Sequence, residues 1–364
     1  MSLVRLKIQN IRNIVDVELI FDPRLNLVCG PNGSGKTSLL ESILFLEKGR
    51  PHRGSRFAPL VREGSRVCTV FGLIKNRHRK TRLGISREIG GKREIRINGE
   101  VEIQTSLLAE EIPVLYLGPE TIDLLLGSPT LRRRFLNWGV FHVEPQFKVL
   151  WLQANRSLKQ RNKLLRTSVS KTDELATWTK QLSEQAEAIH LLRLDYFGEL
   201  EKTFFDILEQ ISEIEGIGTA YFRGWRAGEN LLSVYESKLD SDLRRGFTHE
   251  GFQRADFKVT KYGEQADQVC SRGELKVITW AMMLAQGKLL TVDQQDKVIY
   301  LVDDIGSELD EKHRNRICGW LVDSESQVIA TGIESLSLRE NWRNVKGREF
   351  HVEHGVFTNQ ENIG

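Results

Sequence analysis

The sequence predicts an α/β protein with a nucleotide-binding core, added antiparallel strands and an inserted α-helical arm. A phosphate loop at residues 30–37 follows a short apolar run, the arrangement found in nucleotide-binding α/β proteins. A second apolar run, residues 298–302, ends in Asp303 and Asp304. Between the two, residues 145–213 have the apolar spacing of long helices, so the core is predicted to be interrupted by a helical insertion.

The phosphate loop consists of Gly30, four further residues, and then Gly35, Lys36 and Thr37. Its glycines allow a sharp turn, so successive N–H groups can point at phosphate oxygens, and the following helix directs its positive end at the same anion. Lys36 is expected to reach the β and γ phosphates of ATP, and Thr37 to offer its hydroxyl to Mg²⁺. The residues predicted to contact the nucleotide here are Gly30, Pro31, Asn32, Gly33, Ser34, Gly35, Lys36, Thr37 and Ser38. The alternative is a glycine-rich turn that binds nothing.

Asp303 and Asp304 follow an apolar run that is typical of a buried strand. A strand that delivers a carboxylate at its end is the second half of a phosphate-loop ATPase site. Asp303 is therefore predicted to belong to the Mg²⁺ shell, and Asp304 to be the catalytic carboxylate that orients the attacking water. The alternative is a strand that ends in two solvated aspartates.

Two stretches of the first hundred residues alternate between apolar and polar side chains, which indicates strands. Residues 1–21 predict two strands joined by a turn. Residues 67–101 predict an antiparallel meander beside the core, with a hairpin turn at Asn98 and Gly99. The basic tip at residues 75–80 is either a solvated loop or a phosphate contact.

The inserted arm is predicted to contain two antiparallel helices, at about residues 146–166 and 173–211. Basic side chains recur along the first helix at three- and four-residue steps, with few carboxylates to neutralise them. These residues, named the basic face from here on, are Arg156, Lys159, Lys163 and Arg166. The basic face is either a solvated helix surface or a contact to nucleic acid, of which we favour the second; that this nucleic acid is DNA is implied by the resemblance given below.

The carboxyl-terminal third adds one further motif before the two aspartates. Residues 255–261 alternate again and are predicted to return to the core sheet. Residues 271–274, Ser-Arg-Gly-Glu, then precede a predicted helix. Ser271 is a natural helix cap and Gly273 allows close backbone approach, although such a pair is common by itself.

Length and composition indicate an ordinary globular protein of two domains. The 364 residues are predicted to form a discontinuous head, at 1–118 and 252–364, and a mostly helical insert at 119–251. There are 52 Lys and Arg residues against 49 Asp and Glu, an excess that permits nucleic-acid binding without requiring it. The four cysteines lack metal-ligand spacing and no apolar run could span a membrane, so we expect a cytoplasmic protein.

The order of these motifs resembles the ABC-type ATPase heads of the SMC and RecF group. The order is the phosphate loop, residues 271–274, Asp303-Asp304 and then residues 307–310. The stretch at 151–166, WLQANRSLKQRNKLLR, is similar to RecF-type sequences, whereas transporters and SMC proteins have nothing similar there. Asp304 stands where many such ATPases have Glu, and Glu274 stands where RecF-like signatures more often have Gln.

The resemblance implies roles for individual residues. Arg12 would approach the nucleotide, while Ser271 and Gly273 would contact the γ-phosphate held by a second copy. Ser271 would thereby act in catalysis together with Lys36 and Asp304. ATP would close a homodimer on duplex or gapped DNA, and a slow, DNA-stimulated hydrolysis would reopen it. The implied setting is recombinational repair with RecO- and RecR-type mediators, and RecA loading at single-strand gaps.

Other functions stay open at this stage. An SMC-like ATPase of a phage-defence or nuclease system would share the head motifs. The nucleotide-binding subunit of an ABC transporter would share them too, but the long basic insert disfavours it. A DNA-binding protein with a vestigial nucleotide site would lack turnover.

Overall fold

The structure, a computed structural model, describes residues 1–54, 56–76, 79–167, 172–294, 298–342 and 345–363. Its strands, in chain order, are β1 (Ser2–Ile11), β2 (Ile14–Ile20), β3 (Leu25–Cys29), β4 (Val67–Lys75), β5 (Lys80–Glu88), β6 (Arg93–Ile97), β7 (Glu100–Glu102), β8 (Val114–Leu117), β9 (Ile217–Phe222), β10 (Asp256–Lys261), β11 (Glu264–Gln265), β12 (Ile299–Val302), β13 (Gln327–Gly332), β14 (Gly347–Glu353) and β15 (Val356–Ile363). Its helices are α1 (Lys36–Lys48), α2 (Ser106–Glu111), α3 (Asp123–Leu126), α4 (Pro129–Val143), α5 (Phe147–Thr167), α6 (Thr172–Ile211), α7 (Leu231–Ser237), α8 (Leu239–Arg245), α9 (Ala266–Val269), α10 (Arg272–Gln294), α11 (Ile305–Glu308), α12 (Glu311–Asp323) and α13 (Ser335–Glu340).

One six-stranded sheet is antiparallel and has the order β2-β1-β4-β5-β6-β7. It contains the two predicted amino-terminal strands and the predicted meander, which are confirmed. Asn98 and Gly99 both have positive φ, 54° and 97°, and join β6 to β7 in the tight turn that this dipeptide favours. Of the basic tip, Arg77 and His78 lie outside the described residues, while Arg79 forms an ion pair with Glu111.

The second six-stranded sheet is mostly parallel and has the order β15-β14-β3-β13-β12-β8. Of its described strands, only β15 runs antiparallel to its neighbour. The carboxyl ends of parallel strands meet at one edge of a sheet, where ligands bind in such folds. Because β3 and β12 both pair with β13, the segments that follow β3 and β12 meet at that edge. The core between the sheets contains the apolar stripe of α1, including the fully buried Leu39, Leu40 and Ile43.

A separate three-stranded sheet has the order β11-β10-β9. The prediction that residues 255–261 return to the core sheet is wrong, because β10 pairs with β9 along its whole length. Alternation shows that one face of a strand is buried, but it does not identify the partner strand. Arg132 of α4 holds Asp256 at the start of β10 through two hydrogen bonds of 2.8 and 3.0 Å.

The chain divides into two compact units. One comprises Met1–Thr121, Ile207–Ser212 and Lys276–Gly364 and contains both six-stranded sheets. The other comprises Ile122–Asp206 and Glu213–Leu275. How these units correspond to the predicted head and insert limits stays a prediction.

The two predicted arm helices are present as α5 and α6. In the second unit, the fully buried Arg161 of α5 is held by Asp242 at 2.8 Å and Thr248 at 2.6 Å. This buried cation is paired, as burial of a charge requires. Among the described residues, no helix combines the length and the apolar character needed to cross a membrane.

Candidate nucleotide-binding site

The phosphate loop connects β3 to α1 and can be built only with glycine at certain positions. A Cβ on Gly30 would lie 2.1 Å from the carbonyl oxygen of Val352 in β14, so any side chain would collide with backbone. Gly33 and Gly35 have φ of 75° and 124°, values that other residues rarely adopt. In the part of the chain that the structure describes, no side chain caps α1 at Gly35, so the first N–H groups of this helix are open to an anion.

Lys36 is the first residue of α1, and its side chain folds back onto the loop. Its Nζ donates hydrogen bonds to the carbonyl oxygens of Gly30, at 2.7 Å, and Pro31, at 2.9 Å. Burial lowers the pKa of Lys36, while Asp304 and Asp303 act in the opposite direction. The buried hydroxyl of Ser34 has no hydrogen-bond partner among the described residues. An uncapped helix terminus, a buried cation and an unpaired hydroxyl in one loop fit a bound phosphate chain.

The two residues predicted to hold Mg²⁺ lie together, although 266 positions separate them in the chain. The Thr37 hydroxyl lies 3.2 and 3.3 Å from the two carboxylate oxygens of Asp303. Asp303 is buried and also accepts a hydrogen bond of 2.8 Å from the Thr331 hydroxyl at the end of β13. A threonine hydroxyl and a carboxylate are oxygen ligands of the kind that Mg²⁺ prefers, so these residues fit that ion.

Three residues that sequence reasoning did not assign to the site surround Asp303. The Tyr116 hydroxyl, at the end of β8, lies 2.9 Å from an oxygen of Asp303 and 2.9 Å from an oxygen of Glu120. Arg53 forms an ion pair with Glu120 and approaches Asp303 at 3.8 Å. Burial, and then these two carboxylates, raise the pKa of Tyr116, so its hydroxyl keeps its proton. The sequence signals were one tyrosine within an otherwise aliphatic strand, and Glu120 near the position where the resemblance implies a glutamine-bearing loop.

Asp304 follows Asp303 in the left-handed region, with φ of 48°. Aspartate tolerates this conformation better than most residues because its short polar side chain can form local hydrogen bonds. Its carboxylate accepts a hydrogen bond of 2.6 Å from the Ser307 hydroxyl, and its N–H donates one of 2.9 Å to Thr331. Its role in orienting water stays a prediction.

The turn between β1 and β2 braces the phosphate loop. Arg12 binds Glu41 of α1 through two hydrogen bonds of 2.7 and 3.1 Å, and its contact to nucleotide stays a prediction. Asn13, which the sequence did not single out, donates to the carbonyl oxygens of Gly33 and Ser34 at 3.2 and 2.9 Å. The same side chain accepts a hydrogen bond from Ser38, which ties the turn to α1.

The remaining predicted residues lie on the surface of the second unit. Ser271 and Gly273 are exposed at the start of α10. The four cations of the basic face are all exposed on α5. At 100° per residue they fall within an arc of about 80°, which makes one continuous stripe. Their roles in γ-phosphate and DNA contact stay predictions.

Fold and site together define an ABC-type ATPase head of the α/β class, as the sequence predicted. The sequence profile of the RecF/RecN/SMC N terminal domain family matches residues 2–356. DNA replication and repair protein RecF of Pseudomonas aeruginosa strain LESB58 is 38% identical over 366 residues, which cover 100% of this chain and 99% of that protein. RecF of Pseudomonas savastanoi pv. phaseolicola is 39% identical over 362 residues, 98% of each chain. This chain therefore belongs to the RecF family.

Solved structures agree with this assignment. A structure of the recombination mediator protein RecF with ATP, described as part of the RecFOR pathway, has a TM-score of 0.87 and 25% identity. It covers 99% of this chain and 98% of its own. An Smc head bound to the C-winged helix domain of ScpA has a TM-score of 0.61 at 16% identity over 99% of this chain, a likeness of fold.

Proposed function

We propose that this protein is an ATP-dependent DNA-binding protein of recombinational repair that uses slow ATP hydrolysis as a switch. The observation that carries the proposal is the meeting of Thr37 and Asp303 beside the uncapped start of α1. The RecF names of full-length relatives, and a RecF structure solved with ATP, support the same function. Since those relatives match the arm as well as the head, a phage-defence ATPase is the weaker alternative.

Within one chain, we assign each residue a role from its position. Lys36 exchanges its loop carbonyl partners for phosphate oxygens, and Ser34 and the first N–H groups of α1 add donors. Thr37 and Asp303 hold the metal, while Asp304 orients a water. When bound, Mg²⁺ and ATP supply the charge that a second copy recognises.

Between two copies, Ser271 and Gly273 of one copy meet the triphosphate held by the other. In a two-fold dimer, each nucleotide site receives residues 271–274 of the other copy through one isologous interface. ATP then favours the closed dimer because it binds that state better than the open one. The basic faces contact DNA, and release of the dimer follows hydrolysis, which DNA stimulates.

The cellular role we propose is that of a cytoplasmic loader. With RecO- and RecR-type partners, the closed dimer marks gapped DNA and promotes RecA loading. The RecF names of the relatives and the RecFOR pathway of the solved structure support this role in loading. The nucleotide site of the head supports the proposed nucleotide switch.

Sedimentation of the protein with Mg²⁺ tests the proposal, using no nucleotide, ADP, or a slowly hydrolysed ATP analogue, each with and without duplex DNA. We expect the analogue to double the mass and to make DNA co-sediment, and ADP to do neither. An unchanged mass at saturating analogue, with binding verified by a fluorescent nucleotide, would contradict the proposed switch.

A further inference from the structure

The signature, residues 271–274, contains a carboxylate where a phosphate is expected to dock. Ser271 and Gly273 are exposed, and Glu274 is half-buried beside them. The N–H of Ser271 donates to Glu274 Oε2 at 2.8 Å, and the N–H of Glu274 donates to Ser271 Oγ at 3.2 Å. This reciprocal pair is a capping box. Since Ser271 Oγ accepts from the helix, its own proton stays available to an external acceptor.

A cation from another element neutralises the carboxylate of this box. Lys261, the last residue of β10, forms an ion pair with Glu274 Oε1. The side chains of Lys261 and Glu274 are only 21% and 29% exposed. The ion pair raises the pKa of Lys261 and lowers that of Glu274, so both groups are charged near neutral pH.

Local backbone geometry sets the position of Lys261. The strands β10 and β11 join through the two-residue turn Tyr262-Gly263, where both residues have positive φ, 52° and 90°. The N–H of Tyr262 also donates to the carbonyl oxygen of Gly216 at 2.7 Å. The Lys261 side chain therefore starts from a fixed backbone, which lowers the entropy cost of holding the ion pair.

Without that cation, the signature would oppose its expected ligand. The carboxylate of Glu274 and a terminal phosphate would both compete for the positive end of α10. A charge at a helix terminus typically changes an equilibrium constant by about two- to thirtyfold, so an unneutralised Glu274 should weaken phosphate docking by about tenfold. In an isologous dimer the pair occurs twice, so the loss would reach about a hundredfold.

We propose that Lys261 is a positioning residue of the signature, which neutralises and holds Glu274 so that Ser271 and Gly273 can meet the triphosphate bound by a second copy. This inference rests on the proposed function, because it assumes nucleotide-dependent pairing of two copies. It adds the β10–β11 hairpin to the nucleotide switch. Lys261 acts on the phosphate only through Glu274.

The experiment compares Lys261→Met, Glu274→Gln, the double variant and Lys261→Arg. Lys258→Met is the matched control, since Lys258 is an exposed lysine on the same strand. The dimer dissociation constant is measured by sedimentation equilibrium with a slowly hydrolysed ATP analogue and Mg²⁺, at low and high salt. Binding of a fluorescent ATP analogue to dilute single copies is measured separately.

We expect Lys261→Met to weaken the dimer by about ten- to a hundredfold, with part of the loss recovered at high salt. The double variant, Lys261→Arg and Lys258→Met should dimerise like the parent. Nucleotide affinity of single copies should be unchanged in every variant. If Glu274→Gln restores dimerisation to Lys261→Met, then Lys261 acts by neutralising the carboxylate of Glu274. If Lys261 only supported the hairpin, Glu274→Gln could not restore dimerisation.

Three results would overturn the inference, and the third is distinguishable from the first two. If the parent dimerises with the analogue and Lys261→Met dimerises equally well, the inference is wrong and the proposed function stands. The same conclusion follows if the double variant is as weak as Lys261→Met. If the parent itself does not dimerise at saturating analogue, the proposed function fails and the inference falls with it.

Discussion

Replacing Lys159 and Lys163 with Ala should weaken DNA binding and reduce its dependence on salt. Both lysines are exposed on α5, and their loss leaves intact the hydrogen bond of 3.2 Å from Arg166 to the carbonyl oxygen of Gly246. Each cation that contacts a phosphate releases counterions, so the logarithm of the affinity falls with the logarithm of salt concentration.

The expected size follows from counting the cations of the basic face. Four phosphate contacts per copy, and so about eight in the dimer, give a slope of about −7.2, so affinity should fall about 2 × 10⁴-fold between 50 and 200 mM salt. Two contacts per copy, and so about four in the dimer, give about −3.6, and the fall should be about 150-fold. Affinity should drop alike for unrelated sequences, because phosphate contacts carry no sequence information.

The assay is fluorescence anisotropy of labelled duplex DNA, with Mg²⁺ and a slowly hydrolysed ATP analogue, across that salt range. Lys202→Ala is the control, since Lys202 is exposed on α6 but already paired with Glu199 at 2.7 Å. The control should keep the slope of the parent. A double variant with the affinity and slope of the parent would show that the basic face is a solvated surface.

Three further predictions can be tested, the second of them with two variants. Lys36→Ala removes a charged donor to phosphate and should weaken ATP binding by about 10- to 100-fold, measured by calorimetric titration; unchanged affinity would contradict the site. Ser271→Arg should bind ATP but stay monomeric in sedimentation. Asp304→Asn should keep the ATP-bound dimer, while its turnover falls by about 10²- to 10⁴-fold. An ATP-bound dimer of Ser271→Arg as tight as that of the parent would exclude action of Ser271 across the interface. Tyr116→Phe should lower the midpoint of thermal unfolding of the nucleotide-free protein by several degrees, because hydrogen bonds to charged groups contribute about 1.5–3 kcal/mol. Tyr300→Phe, at a buried tyrosine of β12, is the control for the loss of a buried hydroxyl as such, and equal shifts would refute a special role of the Tyr116 hydroxyl.

Local pattern was sufficient for the parts of the molecule that depend on neighbours in sequence. The phosphate loop, the strand before Asp303, both arm helices and the Asn98-Gly99 turn each depend on residues within a few positions of one another. Helical periodicity, a turn dipeptide and a glycine-rich loop have steric causes that act over such distances. The order of motifs along the chain, which resembles the SMC and RecF group, could also be seen without the tertiary structure.

Tertiary structure alone decided which distant residues meet. Pairing of β8 with β12 brings Tyr116 to Asp303, and pairing of β9 with β10 removes residues 256–261 from the core sheet. In the same way, the fold brings Lys261, at the end of β10, to Glu274, although their separation along the chain suggested no contact. Strand alternation specifies which face is buried, whereas the partner strand is chosen by packing and hydrogen bonding across the whole fold. The phosphate loop and the strand that ends at Asp303 could therefore be predicted from sequence, but the residues that pack around Asp303 could not.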